Sequence, residues 1–136
     1  MSSIVDSVMP WSKDDMKDYQ WLDEILLKQK GTVREFQPAW QAYKYLLQNK
    51  MYAYVGVKDK EERPIITLKL EPMYSDMLRN KYDDIVPGYY MNKQHWSTVY
   101  LDSDVPRKII TDIVWASHEW VLSSFSKRIQ QEILNE

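Results

Sequence analysis

The run Ile85-Val86-Pro87-Gly88-Tyr89-Tyr90-Met91-Asn92-Lys93-Gln94-His95-Trp96-Ser97-Thr98-Val99 carries the strongest turn signal in the chain, Pro87-Gly88. Proline pre-sets φ there, and glycine accepts the conformations that a reversal needs. After it, Tyr89-Tyr90-Met91 and Trp96 to Leu101 read as two short strands around Asn92-Lys93-Gln94, since aromatic and β-branched side chains suit a pleated, half-buried surface.

Upstream of that run, Glu71-Pro72 breaks a strand and Met73, Met77 and Leu78 mark a short amphipathic helix to about Tyr82. Pro64 to Leu70 and Met51 to Val57 are strand candidates joined by Lys58-Asp59-Lys60-Glu61-Glu62-Arg63, which makes a hairpin with a charged tip. Gln48-Asn49-Lys50 is a turn. Between Pro38 and Leu47 the residues Trp40, Tyr43 and Leu47 fit a helix, whereas Tyr43, Tyr45 and Leu47 alternate as a strand, so periodicity leaves both open. A helix starts at Ser12, a hydroxyl cap followed by Asp14 and Asp15, and carries Met16, Tyr19, Leu22, Ile25 and Leu26 on one face up to Gly31. Downstream, Asp104 with Pro106 opens a helix whose apolar face holds Ile109, Ile110, Ile113, Val114, Ser117, Trp120 and Val121, and Ser126 caps a last helix with Ile129, Ile133 and Leu134. This order predicts an α+β, two-layer domain: a mainly antiparallel sheet with helices packed on one face.

At 136 residues the chain fits one domain, residues 12–136, preceded by an N-terminal extension, residues 1–11, a candidate for disorder. About two-thirds of the unfolded surface is buried in a core of that size. The absence of cysteine excludes thiol catalysis, Cys-ligated zinc and disulfides. With 18 Lys+Arg against 20 Asp+Glu, the chain lacks the overall basic field of a protein that holds nucleic acid mainly by phosphate neutralisation, so any basic site is local. No apolar run approaches the ~18 residues of a membrane helix, and the start has neither a basic n-region nor a long apolar core. The expected setting is cytoplasmic, with no cofactor and a monomeric chain.

The Ile85 to Val99 run resembles the signature of the MmcQ/YjbR family of small bacterial proteins, its PGYYMNKxHW part being the most specific. Agreement extends to Ile66-Thr67-Leu68-Lys69 before Pro72, Met77-Leu78-Arg79, Asp104-Val105-Pro106, Ser117, Pro38-Ala39-Trp40-Gln41 and Lys50-Met51-Tyr52-Ala53, from about Trp21 to Ile129. Gln48-Asn49-Lys50 stands where the family often has Gly-Gly-Lys, and Ser117-His118 where it usually has Ser-Tyr. The resemblance implies a CyaY-like (frataxin-like) or secretion-chaperone-like fold, makes Trp40 to Leu47 a strand, and implies DNA binding through a double-wing arrangement of hairpins.

A DNA-binding surface needs cations against phosphates, helped by amide and hydroxyl donors. The candidates are Lys50, Lys69, Arg79, Asn92, Lys93 and His95, with the Lys127-Arg128 pair behind them. Tyr89, Tyr90 and Trp96 form an aromatic surface that could stack a single-stranded base or, in a second reading, bind a protein or a small ligand. Their bland reading is burial on the sheet, with Asn92 making the turn and His95 bonded to backbone. The tip from Lys58 to Arg63 is formally neutral, which suits a solvated loop better than a phosphate-reading wing. Catalysis has little behind it: His95 and His118 are the only histidines, and Asp83-Asp84 beside Pro87-Gly88 suit turn geometry. A frataxin-like metal site would use acids of the first helix, but Asp14, Asp15, Asp18, Asp23 and Glu24 alternate with Lys13, Lys17 and Lys28 as on a solvated face. The chain is therefore expected to be a non-enzymatic DNA-binding protein without a metal.

Overall fold

The computed structural model describes residues 13–56, 63–88 and 91–135, with side chains from Asp18 onward. Helix α1 (Lys13–Lys28) leads into strand β1 (Thr32–Gln37), a 3-10 turn (Pro38–Trp40), β2 (Ala42–Leu47), β3 (Lys50–Gly56) and β4 (Ile65–Lys69). Helix α2 (Pro72–Lys81), β5 (Ile85–Pro87), β6 (Trp96–Tyr100), α3 (Arg107–Leu122) and α4 (Lys127–Leu134) follow. All pairings are antiparallel, in the order β1-β2-β3-β4-β6-β5. The α+β two-layer expectation holds. No helix among the described residues is long and apolar enough to cross a membrane.

Alternation along each strand divides the sheet into two faces. One row of facing residues, Phe36, Tyr43, Val55, Ile66, Val99 and Ile85, crosses all six strands. Most of it is buried with Leu22 and Leu26 of α1 and Ile110, Ile113, Val114 and Val121 of α3 in the main core. The opposite face carries a smaller cluster of Ala42, Tyr54, Ile65 and Tyr100 and a buried hydroxyl pair, Thr67 Oγ1 to Thr98 Oγ1 at 2.7 Å. Helix α3 lies across β2, β3 and β4, α1 beside it over β1, and α2 against β5. Ser117 Oγ anchors α3 to the sheet by donating to the Tyr52 carbonyl at 2.9 Å.

Four local expectations need correction. Strand β1 escapes the pattern reading because Thr-Val-Arg-Glu-Phe-Gln does not alternate cleanly. Its inward Arg34 is made tolerable by Asp23 Oδ2 at 2.7 Å. The stretch before β2 is not strand from Trp40: Pro38–Trp40 is a 3-10 turn, and Gln41 sits in the left-handed region at φ 50° before β2 begins. Helix α3 is not opened by Asp104, since Pro106 occupies the cap position without a side-chain bond. Finally, the strand antiparallel to β6 is Ile85–Pro87. Of the strand expected at Tyr89-Tyr90-Met91, the first two residues lie outside the described ones and Met91 is a bend. The charged tip likewise lies outside them except for Arg63, which bonds Asp102 Oδ1 at 2.7 Å and stacks 3.7 Å from the Tyr100 ring.

Gly31 closes α1 in the left-handed region at φ 74°, as its place after Lys28 and Lys30 predicts, and a Cβ there would meet Ile133 Cγ2 of α4 at 2.7 Å. Gly31→Ala is expected to lower the stability by about 1–2 kcal/mol, read as a shift of the urea midpoint. An unchanged midpoint would show that the α1 to β1 corner relaxes freely.

Candidate nucleic-acid interface

The turn after Gly88 is built by side chains that sequence reading assigned to a ligand. Asn92 Oδ1 accepts from Gln94 N at 2.9 Å and the Asn92 carbonyl accepts from Trp96 N at 3.0 Å. Asn92 therefore makes the turn, as such side chains do when they mimic backbone. Arg79 reaches up from α2 and is consumed inside: Nε donates to Ser97 Oγ at 2.9 Å, and Nη2 to the carbonyls of Lys93 at 2.6 Å and Trp96 at 2.7 Å. Ser75 Oγ closes on Ser97 Oγ from the same helix. Burial draws the Arg79 pKa below the usual guanidinium value, with Asp76 acting the other way. No carboxylate pairs with this cation among the described residues, so it adds positive potential beneath the turn while its Nε and Nη2 are committed to Ser97 and the backbone.

Trp96 is only 8% exposed, so it belongs to the sheet and not to an aromatic surface; Tyr89 and Tyr90 lie outside the described residues. Lys93 projects from the turn, exposed. His95 departs from its bland reading: its Nδ1 is buried without a hydrogen-bond partner among the described residues. A buried N–H without an acceptor is the costlier orphan. In the neutral ring this favours the proton on Nε2.

His95 borders a hollow of about 360 Å³ lined also by Lys69, Trp120, Val121, Ser123 and Ser124. Lys69 comes from the end of β4, and its ammonium has no hydrogen bond or ion pair among the described residues. Ser123 and Ser124 donate to the Trp120 and Val121 carbonyls, both at 2.6 Å, which leaves fewer bare carbonyls at this negative end of α3. Lys50 arrives from β3, donating to Ser124 Oγ at 3.0 Å with its ammonium 4.5 Å from the Phe125 ring. A second hollow of about 470 Å³ shares Trp120 and Ser123 and continues to Glu71, Tyr74, Ala116 and Glu119.

The fold thus gathers Lys50, Lys69 and His95 from three separate elements, places Lys93 on the turn that carries His95, and withdraws Arg79, Asn92 and Trp96 into structural work. It adds Trp120, which the sequence pattern assigns to the core face of α3. The indole is 37% exposed, and His118 is the residue buried there, with Nε2 2.8 Å from the Lys30 carbonyl and its ring edge-on to Tyr52. The exchange has a simple signal, Trp120 lying at the rim of the apolar arc where either side chain satisfies a 3.6-residue period. Lys127 and Arg128 are exposed on α4 and line neither hollow. A larger groove of about 600 Å³ between α1, α3 and α4, bordered by the 62% exposed Trp115, contains none of the residues expected to contact DNA. Among the described residues, no three His, Asp or Glu side chains gather where a metal ion could sit.

The family model described as YjbR matches residues 27–120. The chain belongs to the YjbR family. It is 35% identical over 89 residues to the uncharacterized protein YjbR of Escherichia coli K12, an alignment covering 65% of this chain and 74% of that protein. It is also 35% identical over 69 residues to the uncharacterized protein YyaQ of Bacillus subtilis, covering 51% and 58% respectively. Among solved structures, Deinococcus radiodurans DR2400, a DUF419-domain protein, superposes with a TM-score of 0.72 at 25% identity, over 82% of this chain and 84% of that one. A Pseudomonas syringae protein superposes at 0.61 and 26% identity, over 74% and 96%. The YjbR model spans the whole sheet and nearly all of α3, and it takes in Lys69, His95 and Trp120 but ends before Ser123 and Ser124.

Proposed function

We propose that this YjbR-family chain is a non-enzymatic, cytoplasmic nucleic-acid-binding protein that holds single-stranded DNA at the hollow between Lys69, His95 and Trp120. The observation that carries this reading is the pairing of an unpartnered ammonium and a half-buried imidazole with a half-exposed indole. Phosphates are held by point charges and donors, and bases stack on an indole without regard to sequence. The mixed charge of the surroundings favours weak binding with a shallow salt dependence. The alternative aromatic surface at Tyr89, Tyr90 and Trp96 is weakened by the burial of Trp96.

A salt titration with short single-stranded and duplex DNA tests the reading. Single strands are expected to bind at low salt, and more tightly than duplex. Trp120→Ala should cost about tenfold or more in affinity, and Lys69→Ala should reduce the salt slope by about one phosphate contact. No affinity at low salt, or a slope unmoved by Lys69→Ala, would overturn it.

A further inference from the structure

Trp120 separates two hollows of opposite chemistry, and that division goes beyond generic strand binding. The hollow on one side is lined by a cation and an imidazole, Lys69 and His95. The hollow on the other offers carboxylates, Glu71 and Glu119. Glu71 is occupied, since its two oxygens accept from Met73 N at 2.9 Å and Tyr74 N at 3.2 Å to cap α2. Glu119 has no hydrogen bond or ion pair for its side chain among the described residues, and it is exposed on the same helical turn as Trp120.

We propose that the two hollows form one nucleotide subsite that selects bases bearing an exocyclic amino group, with Glu119 as the specificity-determining residue. The inference rests on the single-strand reading above. Charge fixes the orientation: a phosphate is attracted to the Lys69 side and repelled from the Glu119 side, so a base stacked on Trp120 extends its edge toward Glu119. A carboxylate can only accept hydrogen bonds. Cytosine presents its N4 amino group to such an acceptor, and adenine its N6 amino group. Thymine presents O4 and O2 on either side of a single N–H, and both carbonyls face the carboxylate with like partial charge. Cytosine is therefore held and thymine disfavoured.

Oligo-dC and oligo-dT of about eight nucleotides separate the two effects, because both are pyrimidines and stack similarly. Affinities of the full chain for each, measured by fluorescence anisotropy at fixed low salt, are expected to differ by about tenfold in favour of oligo-dC. In Glu119→Ala the ratio is expected to fall to about one, while oligo-dT binds as well as or better than before, since a repelling charge has been removed. Equal affinities in the unaltered chain, or a preference that survives Glu119→Ala, would overturn the inference and leave strand binding standing. Failure of both oligonucleotides to bind would remove the single-strand reading and the inference together.

Discussion

Arg79→Ala is expected to lower the stability of the fold by about 2–4 kcal/mol, a loss set by removing three hydrogen bonds from one charged donor group. The guanidinium ties α2 to the turn and to the start of β6 through Ser97 Oγ and the carbonyls of Lys93 and Trp96. Without it, the Lys93 carbonyl keeps access to water. The Trp96 carbonyl retains only the Gly88 N–H at 2.9 Å, and the buried Ser75 and Ser97 hydroxyls are left to each other. Arg79→Lys should recover part of the loss, since an ammonium supplies charge but cannot span three acceptors in a fixed fork. The effect should be local as well as global, with amide hydrogen exchange accelerating first between Asn92 and Ser97. Salt dependence distinguishes this role from a phosphate contact: in a variant without the charge, Arg79→Gln, the slope of DNA binding should stay unchanged, whereas a lost phosphate contact would reduce it by about one. A loss below about 1 kcal/mol, or an altered slope, would contradict the structural role.

Arg79 also shows what was legible in the sequence and why the rest was not. The layer architecture, the antiparallel sheet and the helix ends at Gly31 and Ser126 were legible because each follows from a local rule, whether alternation, a left-handed cap or a hydroxyl at the cap. Ser126 Oγ indeed accepts from Ile129 N at 3.3 Å. The strand at Thr32–Gln37 was not legible, because its inward positions include Arg34, whose charge is met by Asp23 from eleven residues earlier. For the candidate site, residue type identified the cations but not their use. Arg79, Lys69 and Lys93 look equivalent in one dimension. Only the packing of α2 on β5 and β6 turns the first inward, and only the end of β4 leaves the second unpartnered beside α3. Trp120 was hidden for the opposite reason, lying at the edge of an apolar arc that sequence periodicity treats as uniformly buried.

Above about pH 10 the protein is expected to lose stability steeply and to unfold cooperatively, because two tyrosines ionise far more readily in the unfolded chain. Tyr45 is fully buried and donates to Asp23 Oδ1 at 2.7 Å. Burial, then the negative charge of Asp23, hold its pKa well above the usual phenol value, against a smaller opposing pull from Arg34. Tyr52 is also fully buried and donates to the Leu26 carbonyl at 3.2 Å. Burial raises its pKa too, opposed by the bond with Thr32 Oγ1 at 2.8 Å. The sign follows from proton counts. Below about pH 10 both states hold these protons, so nothing is lost. Once the pH passes the unfolded value, the unfolded chain releases protons that the folded chain keeps, and stability falls with rising pH. Each tyrosine contributes about 1.4 kcal/mol per pH unit in that window, so the pair gives about 2.7. A stability of the ordinary 5–15 kcal/mol is then exhausted within a few pH units. Phenolate absorbance and far-ultraviolet circular dichroism followed together give the check. Tyr45 and Tyr52 should ionise in one step coincident with the loss of secondary structure, and Tyr52→Phe should lower the pH slope of stability by about 1.4 kcal/mol per pH unit. Ionisation of all the tyrosines near pH 10 with the fold intact would mean that the two hydroxyls are open to water.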